Sequence, residues 1–159
     1  MRRVLSTPLL LAASLASASC APGSSTVRPT PHENFPESTK EQESPDLPVA
    51  AQDVQILERA DRLLSSESIW NRADTRDCPP EATQLSLFCA LHRACIQVLG
   101  QYDHRRAALQ VVRFVIQERG KDYEHRLMDF NNDPATSFTE VKAVLRIAAD
   151  RIRGRLKPS

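Results

Sequence analysis

Helical periodicity starts abruptly at Ala50, immediately after a stretch that cannot fold into anything compact. Between Ala21 and Pro48 stand Pro22, Pro29, Pro31, Pro36, Pro45 and Pro48 among Ser, Thr and Glu. Such a segment lacks the apolar side chains needed to offset chain entropy and reads as an extended, disordered tether. From Ala50 onward the pattern changes: Val54, Leu57, Ala60, Leu63 and Leu64 recur at three- and four-residue spacings, with Glu58, Arg59, Asp61 and Arg62 turned outward. A second helix is expected over Gln84 to Leu99, ending at Gly100, and it is apolar on most sides. Asp103 is placed to cap a third helix ending before Gly120. A short fourth element carries Tyr123, Leu127 and Phe130. The last helix is signalled by Ser137 and Glu140, a capping box, and by the stripe Val141, Val144, Leu145, Ala148 and Ile152. Glycine is scarce and aromatic residues make up 5% of the chain, which disfavours a β-sandwich. The expected fold is therefore all-α, a small bundle of four or five helices over residues 49–157 around Phe88, Leu91, Val112, Phe114, Leu127, Val144 and Leu145.

Upstream of the tether, Arg2 and Arg3 precede an apolar stretch, Leu9 to Ala16, too short to span a bilayer, and small residues run into Cys20. Ala16-Ser17-Ala18-Ser19-Cys20 resembles a bacterial lipoprotein signal, in which the first residue after cleavage is a cysteine that carries lipid; Ser17 stands where those signals usually have Leu. The resemblance implies a signal peptide over residues 1–19, a lipid on Cys20, a tether over 20–48 and a membrane as the first partner. Ordinary cleavage after Ala16-Ser17-Ala18 is the alternative, and it would free the protein. Ala21 after the cysteine is non-acidic, which in such lipoproteins goes with transfer to the outer membrane.

Export bears on the cysteines. With Cys20 lipidated, Cys78, Cys89 and Cys95 remain, enough for one disulfide and one thiol. Cys89 and Cys95 are separated by about 9 Å of helical rise and cannot pair with each other. Cys78, in a polar loop, can reach either, and Cys95 is favoured slightly because it lies nearer the helix end.

The tract His125-Arg126-Leu127-Met128-Asp129-Phe130-Asn131-Asn132-Asp133, with Phe88-Cys89-Ala90-Leu91 and Thr139-Glu140-Val141, resembles a family of small uncharacterised bacterial and phage proteins with a Cys-Ala-Leu helix and an aromatic-Asn-Asp turn. The resemblance implies a helical fold over about residues 65–153 and carries no function over to this chain. Asn131-Asn132-Asp133-Pro134 is in itself a turn signal. Asp129, Asn131, Asn132 and Asp133 also gather oxygens as a calcium loop would, but without the EF-hand spacing; with Trp70 they are the candidate binding residues. Cys89, His92 and Cys95, at three-residue intervals on one helix, cannot wrap a zinc ion without help from Cys78 or His125, and the reading taken is a packed thiol beside a hydrogen-bonded histidine, so no metal and no cofactor is expected. Cys89 with His92 or His125 is the one candidate nucleophile pair.

The chain has 21 Lys and Arg against 20 Asp and Glu, and with export this excludes nucleic acid as a partner. No phosphate loop, HExxH or paired-carboxylate motif is present. The expected function is a non-catalytic protein-binding module held in the cell envelope by its lipid; the competing class is an envelope hydrolase or transferase using the Cys/His pair.

Overall fold

The computed structural model describes residues 47–157; the expected signal peptide, Cys20 and nearly all of the expected tether lie outside them. Five α-helices follow in order: α1 Ala51–Leu63, α2 Leu87–Leu99, α3 Ala107–Gln117, α4 Arg126–Asn132 and α5 Phe138–Leu156. A single 3-10 turn, Glu67–Ile69, interrupts the long connection between α1 and α2. The domain is all-α, as its periodicity requires. α1 packs on both α2 and α5, and α3 packs on α5 and α4. The shared core contains Ile56, Leu57, Leu91, Leu109, Val112, Ile116, Val144, Leu145 and Ile152, none more than 1% exposed.

The helix ends explain most of the boundaries. Ser137 Oγ accepts the Glu140 N–H at 3.2 Å and Glu140 Oε2 accepts the Ser137 N–H at 2.8 Å, so the capping box at α5 is present in full. Gly100 closes α2 at φ 80°, where a side chain would be strained, and its N–H reaches Ile96 O at 2.8 Å. Lys142 of α5 donates to the carbonyls of Asp61 and Leu64 at the end of α1 and lies 2.8 Å from Asp61 Oδ1. A cation there satisfies carbonyls that the helix leaves open and opposes its dipole.

Four expectations are corrected. The second helix begins at Leu87 rather than Gln84, because Leu85 is in extended backbone: its N–H donates to Ile69 O at 2.8 Å and its carbonyl accepts the Asn71 N–H at 2.9 Å. Ser86, whose Oγ accepts the Cys89 N–H at 3.1 Å, is the residue that caps the helix. Asp103 does not cap α3; its Oδ1 accepts the Arg105 N–H, and α3 starts four residues later, at Ala107. The turn expected at Asn131 and Asn132 is the last turn of α4, and the chain turns extended only at Asp133, before Pro134. Phe88 and Phe114, expected in the core, are half-buried: Phe114 lies beneath the Arg126 guanidinium and Phe88 packs on Tyr102.

The end of α3 that Asp103 leaves open is capped from another helix. Asp53, 1% exposed, sits at the third position of α1; its Oδ2 accepts the Ala50 N–H at 2.8 Å. Its Oδ1 accepts the Ala108 N–H at 3.1 Å and lies 2.9 Å from Arg106 Nε. One carboxylate thus closes the N-termini of two helices.

Candidate functional site

Trp70 and the Asn131-Asn132-Asp133 tract, which begins 61 residues later in sequence, meet at the centre of a buried polar network. Trp70 is 4% exposed and Asn131 is fully buried. Asn131 Oδ1 accepts from Trp70 Nε1 at 2.7 Å and from the Leu87 N–H at 2.9 Å, while its Nδ2 donates to Asn71 O at 2.9 Å and Asn132 Oδ1 at 3.1 Å. Two donors on one side and a carbonyl on the other fix which amide atom is oxygen. Asn132 continues the network by accepting the Asp74 N–H at 2.7 Å and donating to Asp74 O at 2.9 Å. Helix α4 thereby pairs through side chains with the loop of residues 71–85, which has no regular structure of its own to satisfy its backbone.

Two arginines hold the loop edges. Arg72 stacks 5.0 Å from the Trp70 ring and donates to the carbonyls of Asp133, Pro134 and Thr136 just beyond α4. Arg93, from α2, donates to the carbonyls of Pro79 and Ala82. Neither was legible beforehand, although an arginine within so apolar a helix as α2 was the available signal for Arg93.

The loop is also stapled. Cys78 and Cys89 form a disulfide with Cα atoms 5.3 Å apart, and among the described residues Cys95 is the free cysteine, fully buried. The preference for Cys95 is corrected, for a geometric reason. The loop returns along the first turn of α2, where Leu85 pairs beside Trp70, so the sulfur it meets is one turn beyond Ser86. Cys95 points into the core, and burial pushes its thiol pKa up. The Cys78–Cys89 loop spans 11 residues in sequence, and its closure contributes about 3 kcal/mol in the chain-entropy account. Cys78→Ser is expected to lower the urea-unfolding free energy by about that amount and to raise the thiol count of denatured, unreduced protein by one.

This bridge removes Cys89 as a nucleophile, which corrects the Cys/His pairing. His92 packs its ring 4.5 Å from Tyr102, and His125 lies exposed just before α4. The calcium-like set is likewise not assembled, since its oxygens are committed separately. Asp129 Oδ2 accepts the His125 N–H at 2.7 Å, and Asp133 Oδ2 accepts from Lys121 at 2.5 Å and Tyr123 at 2.6 Å while its Oδ1 accepts the Ala135 N–H. The Lys121 bond, then those of Tyr123 and Ala135, holds the Asp133 carboxyl well below the usual carboxylate range. Among the described residues no group of three His, Cys, Asp or Glu side chains is placed to hold a metal, and no helix is long and apolar enough to cross a membrane.

Asp74 is the exception among these satisfied groups. It is 4% exposed, its Oδ1 accepts the Arg76 N–H at 2.7 Å, and its Oδ2 has no hydrogen-bond partner. Arg76 sits at φ 62°, a left-handed conformation held by that contact. Burial raises the Asp74 pKa, against the opposing pull of the Arg76 N–H, Ser86 and the Arg76 charge. A carboxyl that binds its proton more tightly folded than unfolded favours the fold at low pH, and that contribution fades as pH rises through the folded pKa. Asp74→Asn is therefore expected to match or exceed the parent at about pH 7, by up to about 1 kcal/mol, and to remove that part of the pH dependence in urea titrations.

A model for a family of unknown function, DUF6197, matches residues 48–151, which include the loop, the disulfide and the Trp70–Asn131 network. The chain belongs to the DUF6197 family. No curated protein and no solved structure matches it. The DUF6197 match leaves out the first 47 residues, so the segment read as an export signal and nearly all of that read as a tether lie outside the family domain. Within the DUF6197 domain the residues of the aromatic-Asn-Asp tract fasten the fold.

Proposed function

We propose that this chain is a lipid-anchored protein of the bacterial envelope, with Cys20 carrying the lipid, residues 20–48 serving as a tether, and the DUF6197 domain acting as a non-catalytic module that binds another envelope protein. The observation that carries the reading is the Cys78–Cys89 bridge. Disulfides form and persist in oxidising compartments, so the bridge agrees with the export layout of the first twenty residues, and it withdraws the one sulfur that a Cys/His mechanism would use. The engagement of Asn131, Asn132, Asp129 and Asp133 in internal hydrogen bonds supports a scaffold over a ligand cage.

Fractionation of a bacterial host expressing the full chain tests the anchor. The protein is expected in the membrane fraction with incorporated fatty acid, and Cys20→Ala is expected in the soluble fraction without it. Membrane retention of Cys20→Ala, or a mature N-terminus at Ser19, would refute lipidation.

A further inference from the structure

The loop that precedes α2 is held in two unequal ways. At its ends, Asp74 is pinned through both its N–H and its carbonyl to Asn132, and Leu85 through both of its backbone groups to Ile69 and Asn71. Between these points no residue from 75 to 83 is buried, and the side chains that pack on the core are the small ones of Cys78 and Ala82. So little apolar contact cannot by itself keep the segment in one place. What remains is the Cys78–Cys89 bridge and the Arg93 guanidinium, which donates to Pro79 O and Ala82 O. Arg93 is half-buried, so water can replace those acceptors at little cost. The covalent bond is what holds the segment down.

Two features beside the bridge work against the closed position. Arg76 keeps a left-handed backbone, φ 62°, without being glycine, and Asp74 Oδ2 lies in a buried site with no hydrogen-bond partner. Lifting the segment lets the Arg76 backbone relax and lets water reach Asp74. The two sulfurs also differ in access. Cys89 is 5% exposed, whereas Cys78 is half-buried beside the exposed Arg76 and Asp77, so a thiolate arriving from solvent meets Cys78 first. Cys95 is fully buried and takes no part.

We propose that the Cys78–Cys89 bridge is a redox latch: an external dithiol reduces it in the folded protein by attack on Cys78, and residues 75–83 then lift from α2 while Asn132 keeps Asp74, and Ile69 and Asn71 keep Leu85, in place. The reductant's thiolate forms a bond to Cys78 Sγ, and the Cys78–Cys89 bond breaks with its electron pair leaving on Cys89, which takes up a proton. The reductant's second thiol then displaces Cys78, which is protonated in turn. Two electrons and two protons pass to the protein, and the dithiol becomes a disulfide. The latch goes beyond the binding-module reading and holds whether or not Cys20 carries lipid.

Reduction of the oxidised full chain by dithiothreitol tests it, with Cys20→Ser in place to remove a competing thiol. Below the unfolding transition the rate is expected to be first order in dithiothreitol and insensitive to urea, as attack on the folded protein requires. A rate that climbs with urea in step with global unfolding would overturn the latch. Peptide mapping after brief exposure to glutathione, a monothiol, is expected to find the adduct on Cys78, and an adduct on Cys89 would refute the assigned point of attack. In NMR relaxation measurements on the reduced protein, backbone order parameters over residues 75–83 are expected to fall from about 0.85 to below about 0.6. The shifts of the Trp70 indole N–H and of the Asn71, Leu85 and Leu87 amides are expected to stay in place, because their acceptors lie outside the segment. Cys78→Ser is expected to give the same pattern without reductant. Unchanged order parameters would mean that the segment is held without the bridge, and shifts spreading through α1 and α5 would make the bridge a staple of the whole fold; either result overturns the proposal.

Discussion

Asn131→Ala is expected to lower the unfolding free energy by about 4 kcal/mol, a large fraction of the total for a domain of this size. The substitution removes four hydrogen bonds at once and leaves Trp70 Nε1, the Leu87 N–H and Asn71 O without partners in a fully buried site. Each such orphaned group costs about 1 to 3 kcal/mol, and the cavity left by the side chain adds to it. Asn131→Asp separates polarity from shape. It keeps the acceptor toward Trp70 and Leu87 but places a second oxygen against Asn71 O and Asn132 Oδ1, and it buries a charge. Both variants are expected to be strongly destabilised in urea titrations followed by Trp70 fluorescence, with Asp losing stability as pH rises. A near-neutral Asn131→Asp would mean that the network is open to water.

Asp53→Ala is expected to cost a similar amount, about 3 to 5 kcal/mol, by breaking a buried charged contact from one side. Arg106 loses its carboxylate, and the Ala50 and Ala108 N–H groups lose their acceptor. The effect is expected at two helix starts together, so hydrogen exchange should accelerate in the first turns of both α1 and α3. Asp53→Asn retains an acceptor oxygen and removes the charge, and is expected to fall between parent and Ala. If only α1 loosens, the bridging role assigned to this carboxylate is wrong.

Fold class was legible because every helix places its apolar residues at helical spacing, and the Ser137–Glu140 box and Gly100 mark ends by local chemistry. The errors have a common origin in contacts between residues far apart in sequence. Leu85 has apolar company on α2 and reads as helical, yet Ile69 and Asn71 capture its backbone. Asp103 has the right identity and position for a cap, but Asp53 supplies one from α1. The polar tract Asn131-Asn132-Asp133 was recognisable as distinctive, while its use was hidden, because nothing in a linear reading joins it to Trp70. Asp74 carried no sequence signal, since its burial is created by the loop around it.

The pairing of cysteines has a consequence for how the chain reaches this state. Three thiols in the domain allow three pairings, and spacing along α2 excludes only the one between Cys89 and Cys95. In the unfolded chain Cys95 competes with Cys89 for Cys78, and a Cys78–Cys95 bridge would hold the loop against the wrong end of the helix. Packing resolves the competition, because Cys95 is inaccessible once α1 and α2 have docked, and its raised pKa leaves little thiolate to attack. Helix association therefore guards the correct pairing. A chain that closes Cys78–Cys95 while still unfolded enters a trap, from which it escapes by exchange through the remaining thiol, Cys89.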